Sequence, residues 1–420
     1  MFEYDIAIIG LGYVRLPLAR EAAAAGLKVV GFDINEPVVS SLNAGRSHVD
    51  DLDDDDIARM LSLEFRATTN EQDLTRARAL VICVPTPLSP DGGPDLGPVR
   101  AATSMVARVL APGMLVVLES TTYPGTTDEL IRPALEAGGL TAGIDFFLAF
   151  SPERVDPGNE RYGIRNTPKV VGGCTDECTE RAYGLYSQFV DTVVRAKGTR
   201  EAETAKLLEN TYRHINIALV NEMARFCHDL GIDLWDVIRL ASTKPFGFQP
   251  FYPGPGVGGH CIPIDPNYLS YSVRTQLGYP FRFVELAQEI NGTMPVYVAR
   301  RAQDILNTDG VAIKGAKVLL LGVTYKPDIA DRRESPAVEL ARALEKLGAQ
   351  VAYHDPYVAT WSFGSGTLES SDPLQGAVES CDLTILVQNH RTYDVESLVE
   401  SSRRFFDTRG ATSSDRAVRL

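Results

Sequence analysis

The chain is 420 residues long, 44% hydrophobic and 23% charged, the balance of a water-soluble globular protein with two or three domains of ordinary size. No apolar run approaches the ~20 residues that span a bilayer, and the start Met-Phe-Glu-Tyr-Asp lacks the basic opening and cleavage site of a secretory signal. The expectation is a cytoplasmic protein with no membrane contact. A formal net charge of −14 argues against general nucleic-acid binding, which needs a basic face to displace counterions from phosphates.

From the N-terminus, Ile6 to Ile9 read as a strand, Gly10 begins a glycine turn, and an alanine-rich stretch to Gly26 reads as a helix with a glycine C-cap. Lys28 to Asp33 then read as the next strand. The run Asp50, Asp51 and Asp53 to Asp56 reads as a solvated loop and helix start, because carboxylates in a row repel one another. Further strands are expected at Leu80 to Val84, Leu115 to Leu118 and Phe146 to Phe150, with polar residues after each. Carboxyl ends of such strands are where doubly wound sheets bind ligands.

A helix is expected from Glu201 to Leu230, since Leu208, Tyr212, Ile215, Leu219, Met223 and Phe226 recur at three- and four-residue steps. Lys206, Asn210 and Arg213 fall on the opposite face, within roughly 60° of one another at helical spacing. Towards the C-terminus, Val318 to Leu321, a helix from Ser335 to Leu347 ended by Gly348, Val351 to Asp355 and Leu383 to Val387 repeat the strand–helix–strand plan. Two such units predict an α/β protein with two Rossmann-like parallel-sheet domains joined by a helical middle domain with a long central helix. The boundaries are expected at 1–199, 200–308 and 309–420.

Gly10 and Gly12, between a strand and a helix, with Asp33 ending the next strand, form a dinucleotide fingerprint. Glycines let backbone N–H groups approach the pyrophosphate at a helix N-terminus. Asp33 would bond the ribose hydroxyls and repel a 2′-phosphate, which favours NAD over NADP. The position of the third glycine is taken by Arg15, and the expectation is that its long side chain weakens NAD binding.

The segment from Phe251 to Pro266 holds too many glycines and prolines for a helix or central strand and must be a shaped loop. Within it Cys261 lies beside His260 and four residues before Asp265, the surroundings of a reactive thiol. Cys83, in a strand, and Cys227, on a helix, read as small buried hydrophobes. Six cysteines without Cys-x-x-Cys spacing and six histidines without an i, i+4 pair give no reason to expect a metal.

Several motifs in order resemble the UDP-glucose/GDP-mannose dehydrogenases. They are Gly10-Leu-Gly-Tyr-Val with Leu16-Pro-Leu-Ala, Val84-Pro-Thr-Pro-Leu, Glu119 through Thr127, Ser151 through Gly158, Lys206 with Glu209-Asn-Thr-Tyr-Arg, Asn216 through Glu222, Pro253 through Pro266, Thr324-Tyr-Lys-Pro-Asp and Arg333-Glu-Ser-Pro. The resemblance implies an N-terminal NAD domain, a helical middle that forms a homodimer, and a C-terminal domain for the UDP moiety of a UDP-sugar. It implies Cys261 as nucleophile, with Lys206, Asn210 and Asp265 as the polar catalytic group and Glu153 and Thr121 near the hydrolytic water.

The cofactor set it implies is Gly10, Gly12, Tyr13, Val14, Asp33, Thr86, Thr121 and Arg333. The substrate set comprises Arg154, Val155, Lys206, Asn210, Arg213, His214, Tyr252, Gly256, Gly258 and Lys326, with Arg213 and His214 on the side of an acetamido group. The form of the cysteine loop and of Asn210-Thr-Tyr-Arg213 resembles the UDP-N-acetylhexosamine branch, with UDP-GlcNAc favoured. Two oxidations of a sugar CH2OH to a carboxylate, through a thioester on Cys261, would follow. The alternatives are a UDP-glucose or GDP-mannose 6-dehydrogenase, an epimerase that retains NAD, and a nucleotide-sugar-binding protein whose turnover Arg15 impairs.

Overall fold

A computed structural model describes residues 2–12, 15–49, 52–89, 93–155, 159, 161–259, 261–364 and 366–420. By packing, the chain divides into two compact units, 1–209 with 267–279 and 210–266 with 280–420. The expected long helix is present as Thr199–Asp229, 31 residues that begin in the first unit and end in the second.

The first unit is built on eight strands: β1 (Tyr4–Ile9), β2 (Val29–Phe32), β3 (Arg66–Thr68), β4 (Ala77–Ile82), β5 (Leu115–Leu118), β6 (Phe147–Phe150), β7 (Lys169–Gly173) and β8 (Val193–Arg195). Their order is β3-β2-β1-β4-β5-β6-β7-β8, parallel throughout except for the β6–β7 pair. Helices cover both faces, which is why Ile6, Ile8, Val29 and Val81 pack on one side while Ala7, Ile9, Val30 and Leu80 pack on the other. The chain steps outward from β1 to β3 and then returns to lay β4 on the other side of β1. This reversal opens a crevice at the carboxyl ends of β1 and β4, where doubly wound sheets take ligands. Within the acidic run, Asp53 and Asp56 form a capping box on the helix Asp54–Ser62, the expected helix start, while Asp50 and Asp51 lie outside the described residues.

The second unit repeats the winding with β9 (Lys317–Leu321), β10 (Gln350–His354), β13 (Leu383–Leu386), β14 (Phe405–Asp407) and β15 (Ala417–Arg419), all parallel in the order β10-β9-β13-β14-β15. A hairpin, β11 (Thr360–Phe363) and β12 (Gly366–Glu369), lies outside that sheet. The 27-residue helix Arg282–Thr308 packs on the helix Pro336–Lys346, which Ser335 caps with its hydroxyl. Among the described residues, no helix is long and apolar enough to cross a membrane.

The face that the long helix turns inward carries Leu207, His214, Ala218, Asn221 and Ala224, all buried. Of the six residues that gave the helix its apolar periodicity, Leu208, Tyr212, Leu219 and Phe226 are exposed, Leu208 to 63%, while Ile215 and Met223 are half-buried against neighbouring apolar side chains.

Candidate active site

In the first unit the glycine turn is fixed by its neighbours. Gly10 sits at φ +95°, and a Cβ there would lie 2.6 Å from the Cys83 carbonyl oxygen, so only glycine lets β1 end this close to β4. Asp33 accepts the Leu11 N–H at 2.9 Å through Oδ2 and the Asn35 N–H at 2.9 Å through Oδ1. Its carboxylate is thereby aimed at the crevice with lone pairs left for hydroxyl donors, and Ile34 to Pro37 brings no cation. These features fit a dinucleotide with two ribose hydroxyls. His48, which the sequence did not single out, meets the Leu11 carbonyl at 2.7 Å and ties the loop before the acidic run to the turn. Tyr13 and Val14 lie outside the described residues.

Arg15 opens the first helix, its N–H donating to the Gly12 carbonyl at 3.0 Å. Its side chain crosses the turn: Nη2 donates to the Val84 carbonyl at 3.2 Å, and Nη1 lies 3.6 Å from where a Gly12 Cβ would stand. Thr86, two residues on, has its carbonyl bound by the Tyr268 hydroxyl.

Behind the crevice Glu119 is buried against Lys169, 3.0 Å away, and the Tyr186 hydroxyl. Lys169, which burial alone would push down, is pushed up by the charges of Glu119 and Glu153. Burial and the Glu119 charge together hold the Cys83 thiol well above its ordinary value. A thiol held neutral is a poor nucleophile, which bears out the reading of Cys83 as a packing residue.

Lys206 is buried on the long helix and donates from Nζ to the Glu153 carbonyl at 2.6 Å. The Glu153 carboxylate accepts the Val155 N–H at 2.6 Å, a turn that holds the side chain over its own loop. Arg154 is engaged with Glu209 at 2.8 Å and with the Pro168 carbonyl at 2.6 Å. Thr121 is half-buried in the loop after β5.

In the second unit the cysteine loop runs into the helix Asp265–Leu277, and the Asp265 N–H donates to the Cys261 carbonyl at 2.8 Å. The Asp265 side chain is buried and accepts from Asn210 Nδ2 at 2.6 Å. Cys261, Asp265 and Asn210 therefore belong to one hydrogen-bonded group. A Cβ on Gly258 would meet the Glu334 carbonyl and the Tyr325 side chain at 2.7 Å, so the loop backbone lies directly on the Tyr325 and Arg333-Glu-Ser-Pro segments. Motifs far apart in sequence are thus two sides of one contact. His260 lies outside the described residues.

Beside this loop is a cavity of about 500 Å³, lined among others by His214, Gly256, Val257, Asn291, Ser335 and Arg342. His214 is 2% exposed, and burial pushes it down to about 4, so it is neutral near pH 7. Its Nδ1 lies 3.4 Å from the Asn291 amide nitrogen, which assigns the ring proton to Nε2. That Nε2 is buried without a hydrogen-bond partner among the described residues. Asn291 in turn accepts from Asn221, and Asn221 accepts from the Gly254 N–H, both at 2.9 Å.

The other expected substrate residues are more dispersed. Arg213 is exposed, Lys326 is half-buried, and Tyr252 is stacked on Trp235 with centroids 5.9 Å apart. Arg333, expected in the cofactor set, forks onto Asp331 of its own loop at 2.6 Å.

Three domain models of the UDP-glucose/GDP-mannose dehydrogenase family match the chain: the NAD binding domain at 4–190, the central domain at 200–293 and the UDP binding domain at 319–414. The chain is 35% identical over 402 residues to the UDP-N-acetyl-D-glucosamine 6-dehydrogenase of Pseudomonas aeruginosa, covering 95% of this chain and 94% of that protein. It is also 35% identical over 403 residues to the UDP-N-acetyl-D-mannosamine dehydrogenase of Pyrococcus horikoshii, covering 95% and 93%. A solved structure of a UDP-D-ManNAc dehydrogenase from Pyrococcus horikoshii superposes with a TM-score of 0.90 at 33% identity, over 99% of each chain. With its nucleotide crevice, its glycine-walled cysteine loop and these matches, the chain belongs to the UDP-glucose/GDP-mannose dehydrogenase family and is an NAD-dependent UDP-sugar dehydrogenase.

Proposed function

We propose that this enzyme oxidises the C6 hydroxymethyl of a UDP-N-acetylhexosamine, UDP-GlcNAc first among them, to the uronate through a covalent intermediate on Cys261. The hydrogen-bonded group of Cys261, Asp265 and Asn210 carries the reading. Asp265 serves as the proton acceptor in the first oxidation, and Lys206 and Asn210 stabilise the alkoxide. NAD, when bound, takes up one hydride in each of two oxidations. Between them the Cys261 thiolate adds to the aldehyde carbon to give a thiohemiacetal, so the aldehyde does not escape. Its oxidation leaves a thioester. Water, oriented by Glu153 and Thr121, attacks the thioester carbon and expels the thiolate as the acid forms. Per sugar, two NAD and one water become two NADH, one carboxylate and three protons.

The N-acetyl preference rests on His214. A buried neutral N–H lining a cavity suits a carbonyl acceptor such as that of an acetamido group, since an unmade bond there costs ~1–3 kcal/mol. A panel of UDP-GlcNAc, UDP-ManNAc, UDP-GalNAc, UDP-glucose and GDP-mannose, read by NADH absorbance, tests the reading. Two NADH per UDP-N-acetylhexosamine are expected. Full turnover of UDP-glucose alone would overturn the sugar assignment, and a single NADH per sugar would overturn the four-electron course.

Arg15 supports a second reading, of an enzyme with a weakened cofactor site. Its guanidinium now lies across the turn that the pyrophosphate must approach, bonded to the Val84 carbonyl. Binding has to displace it. Arg15→Gly is expected to tighten NAD binding roughly tenfold, about 1.4 kcal/mol, with little change for UDP. Calorimetric titration of both proteins checks this, and equal affinities would mean that the guanidinium turns to the phosphates without loss.

For a partner, we propose a second copy of the chain seated on the exposed stripe of Leu208, Tyr212, Leu219 and Phe226. A contiguous apolar face of this kind marks an interaction site. Leu219→Arg is expected to raise the dimer dissociation constant about thirtyfold, roughly 2 kcal/mol, in sedimentation equilibrium. An unchanged constant would place the contact elsewhere.

A further inference from the structure

Glu203 lies one helical turn before Lys206 on the long helix and is 1% exposed. Its carboxylate accepts three hydrogen bonds from a single stretch of chain. Oε2 takes the Gly125 N–H at 2.6 Å, while Oε1 takes the Thr127 N–H at 2.9 Å and the Thr127 hydroxyl at 2.7 Å. That stretch follows β5, carries Thr121, turns at Gly125 with φ +97°, and enters the wide π turn Thr127–Ile131. Each of the three donors would be costly to leave unmade in a buried place. None of the roles proposed above uses this residue.

We propose that Glu203 is a positioning residue, a charged latch that fixes the Thr121 loop to the helix bearing Lys206 and keeps the two in register for the water-using step. The proposal rests on the roles given to Lys206 and Thr121 above. An ionised carboxylate is acceptor-only and serves all three donors. Protonation turns one oxygen into a donor: on Oε2 it faces the donor-only Gly125 N–H, and on Oε1 it faces the Thr127 N–H or reverses the bond to the Thr127 hydroxyl, and in every case the remaining bonds lose the strength that an ionised acceptor gives them.

The charged and titratable groups around it are few. From the loop and turn come Tyr123, Asp128 and Glu129. From its own helix come Arg200, 2.6 Å from Glu129 and 3.8 Å from Asp128, and Lys206. Asp128 is also bonded by the Thr199 hydroxyl at 2.7 Å and the Cys174 thiol at 3.2 Å. Arg200 thus serves the two neighbouring carboxylates and is not a partner of Glu203. Burial, outweighing the hydrogen bonds, pushes Glu203 up to about 7, so the latch is half-charged at neutral pH. The sign for stability follows. A carboxylate raised on folding favours the folded state most below the unfolded value and loses that contribution as pH rises through about 7. The latch acts in the opposite sense, closing as pH rises through the same window.

Hydrogen exchange at the Gly125 and Thr127 amides, followed as protection factors on the intact protein, needs no substrate. A failure there is therefore distinct from a failure of the sugar assignment. In the wild type, protection at both amides is expected to drop about tenfold from pH 8 to pH 6, with kcat falling in step and KM steady. Glu203→Gln should be poorly protected at both pH values, lose roughly tenfold in kcat, and lose the low-pH limb of the kcat profile. NAD affinity should not move. Protection in the wild type that is flat between pH 6 and pH 8 overturns the latch even if the glutamine variant does not fold. A glutamine variant that retains the low-pH limb overturns it as well.

Discussion

Cys261→Ser is expected to bind the UDP-sugar with nearly the wild-type constant and to form no uronate. What recommends the serine is that the loop's architecture does not depend on sulfur. The bond from the Asp265 N–H goes to the Cys261 backbone carbonyl, and the loop shape is set by Gly258 against Tyr325 and Glu334. Serine leaves all of that in place and removes only the thiolate. A hydroxyl is almost wholly protonated near neutral pH, and removal of a nucleophile from a concerted group costs on the order of 10³-fold or more in kcat. The first oxidation does not need the thiol, so the variant should stop near one NADH per sugar and accumulate aldehyde hydrate. Mass spectrometry of the product, with NADH counted in parallel, checks both statements. Uronate formed by the serine variant at more than a few per cent of the wild-type rate would remove the covalent intermediate from the proposal.

The two βαβ units and the long helix were legible because each rests on local pattern. Parallel strands buried on both faces give unbroken apolar runs, and the observed β5 coincides with the expected Leu115 to Leu118. The short strands β7, β8, β14 and β15 were not anticipated, since three to five residues carry no period of their own. Periodicity also found the apolar stripe of the long helix without saying what it meets. Its inward face, besides Leu207, is made of His214, Ala218, Asn221 and Ala224, small or polar positions that score weakly as apolar yet are buried.

Site residues divide in the same way. Gly10, Asp33 and Cys261 stood out by local sequence. Glu203, His48 and Asn291 did not, because each acts through a partner distant in the chain, as Asn291 does on His214, 77 positions away. A lone buried Glu or Asn looks in sequence like any polar helix residue, and only the fold brings its partner to it.

Lys206→Ala is expected to lower kcat by on the order of 10²- to 10³-fold, the loss that follows removal of one preorganised donor to a developing oxyanion. The side chain is suited to that work by its surroundings. It is 7% exposed, and one of its three N–H donors is spent on the Glu153 carbonyl at 2.6 Å, which fixes the direction of the ammonium. A charge preset in a place poor in water need not reorganise as the alkoxide forms. The same substitution leaves the Glu153 carbonyl unmet and opens a void, so a stability loss of ~1–3 kcal/mol is expected beside the kinetic one. Lys206→Met separates the two, because it refills much of the volume without a donor. Its melting temperature should recover while its kcat stays low. Lys206→Arg should not restore kcat, since a planar fork cannot reproduce a point charge at the end of a fixed stem. Single-turnover NADH formation at saturating sugar reads the chemical step directly. A methionine variant that turns over near the wild-type rate, with only KM altered, would reduce Lys206 to a binding residue and leave oxyanion stabilisation to Asn210 alone.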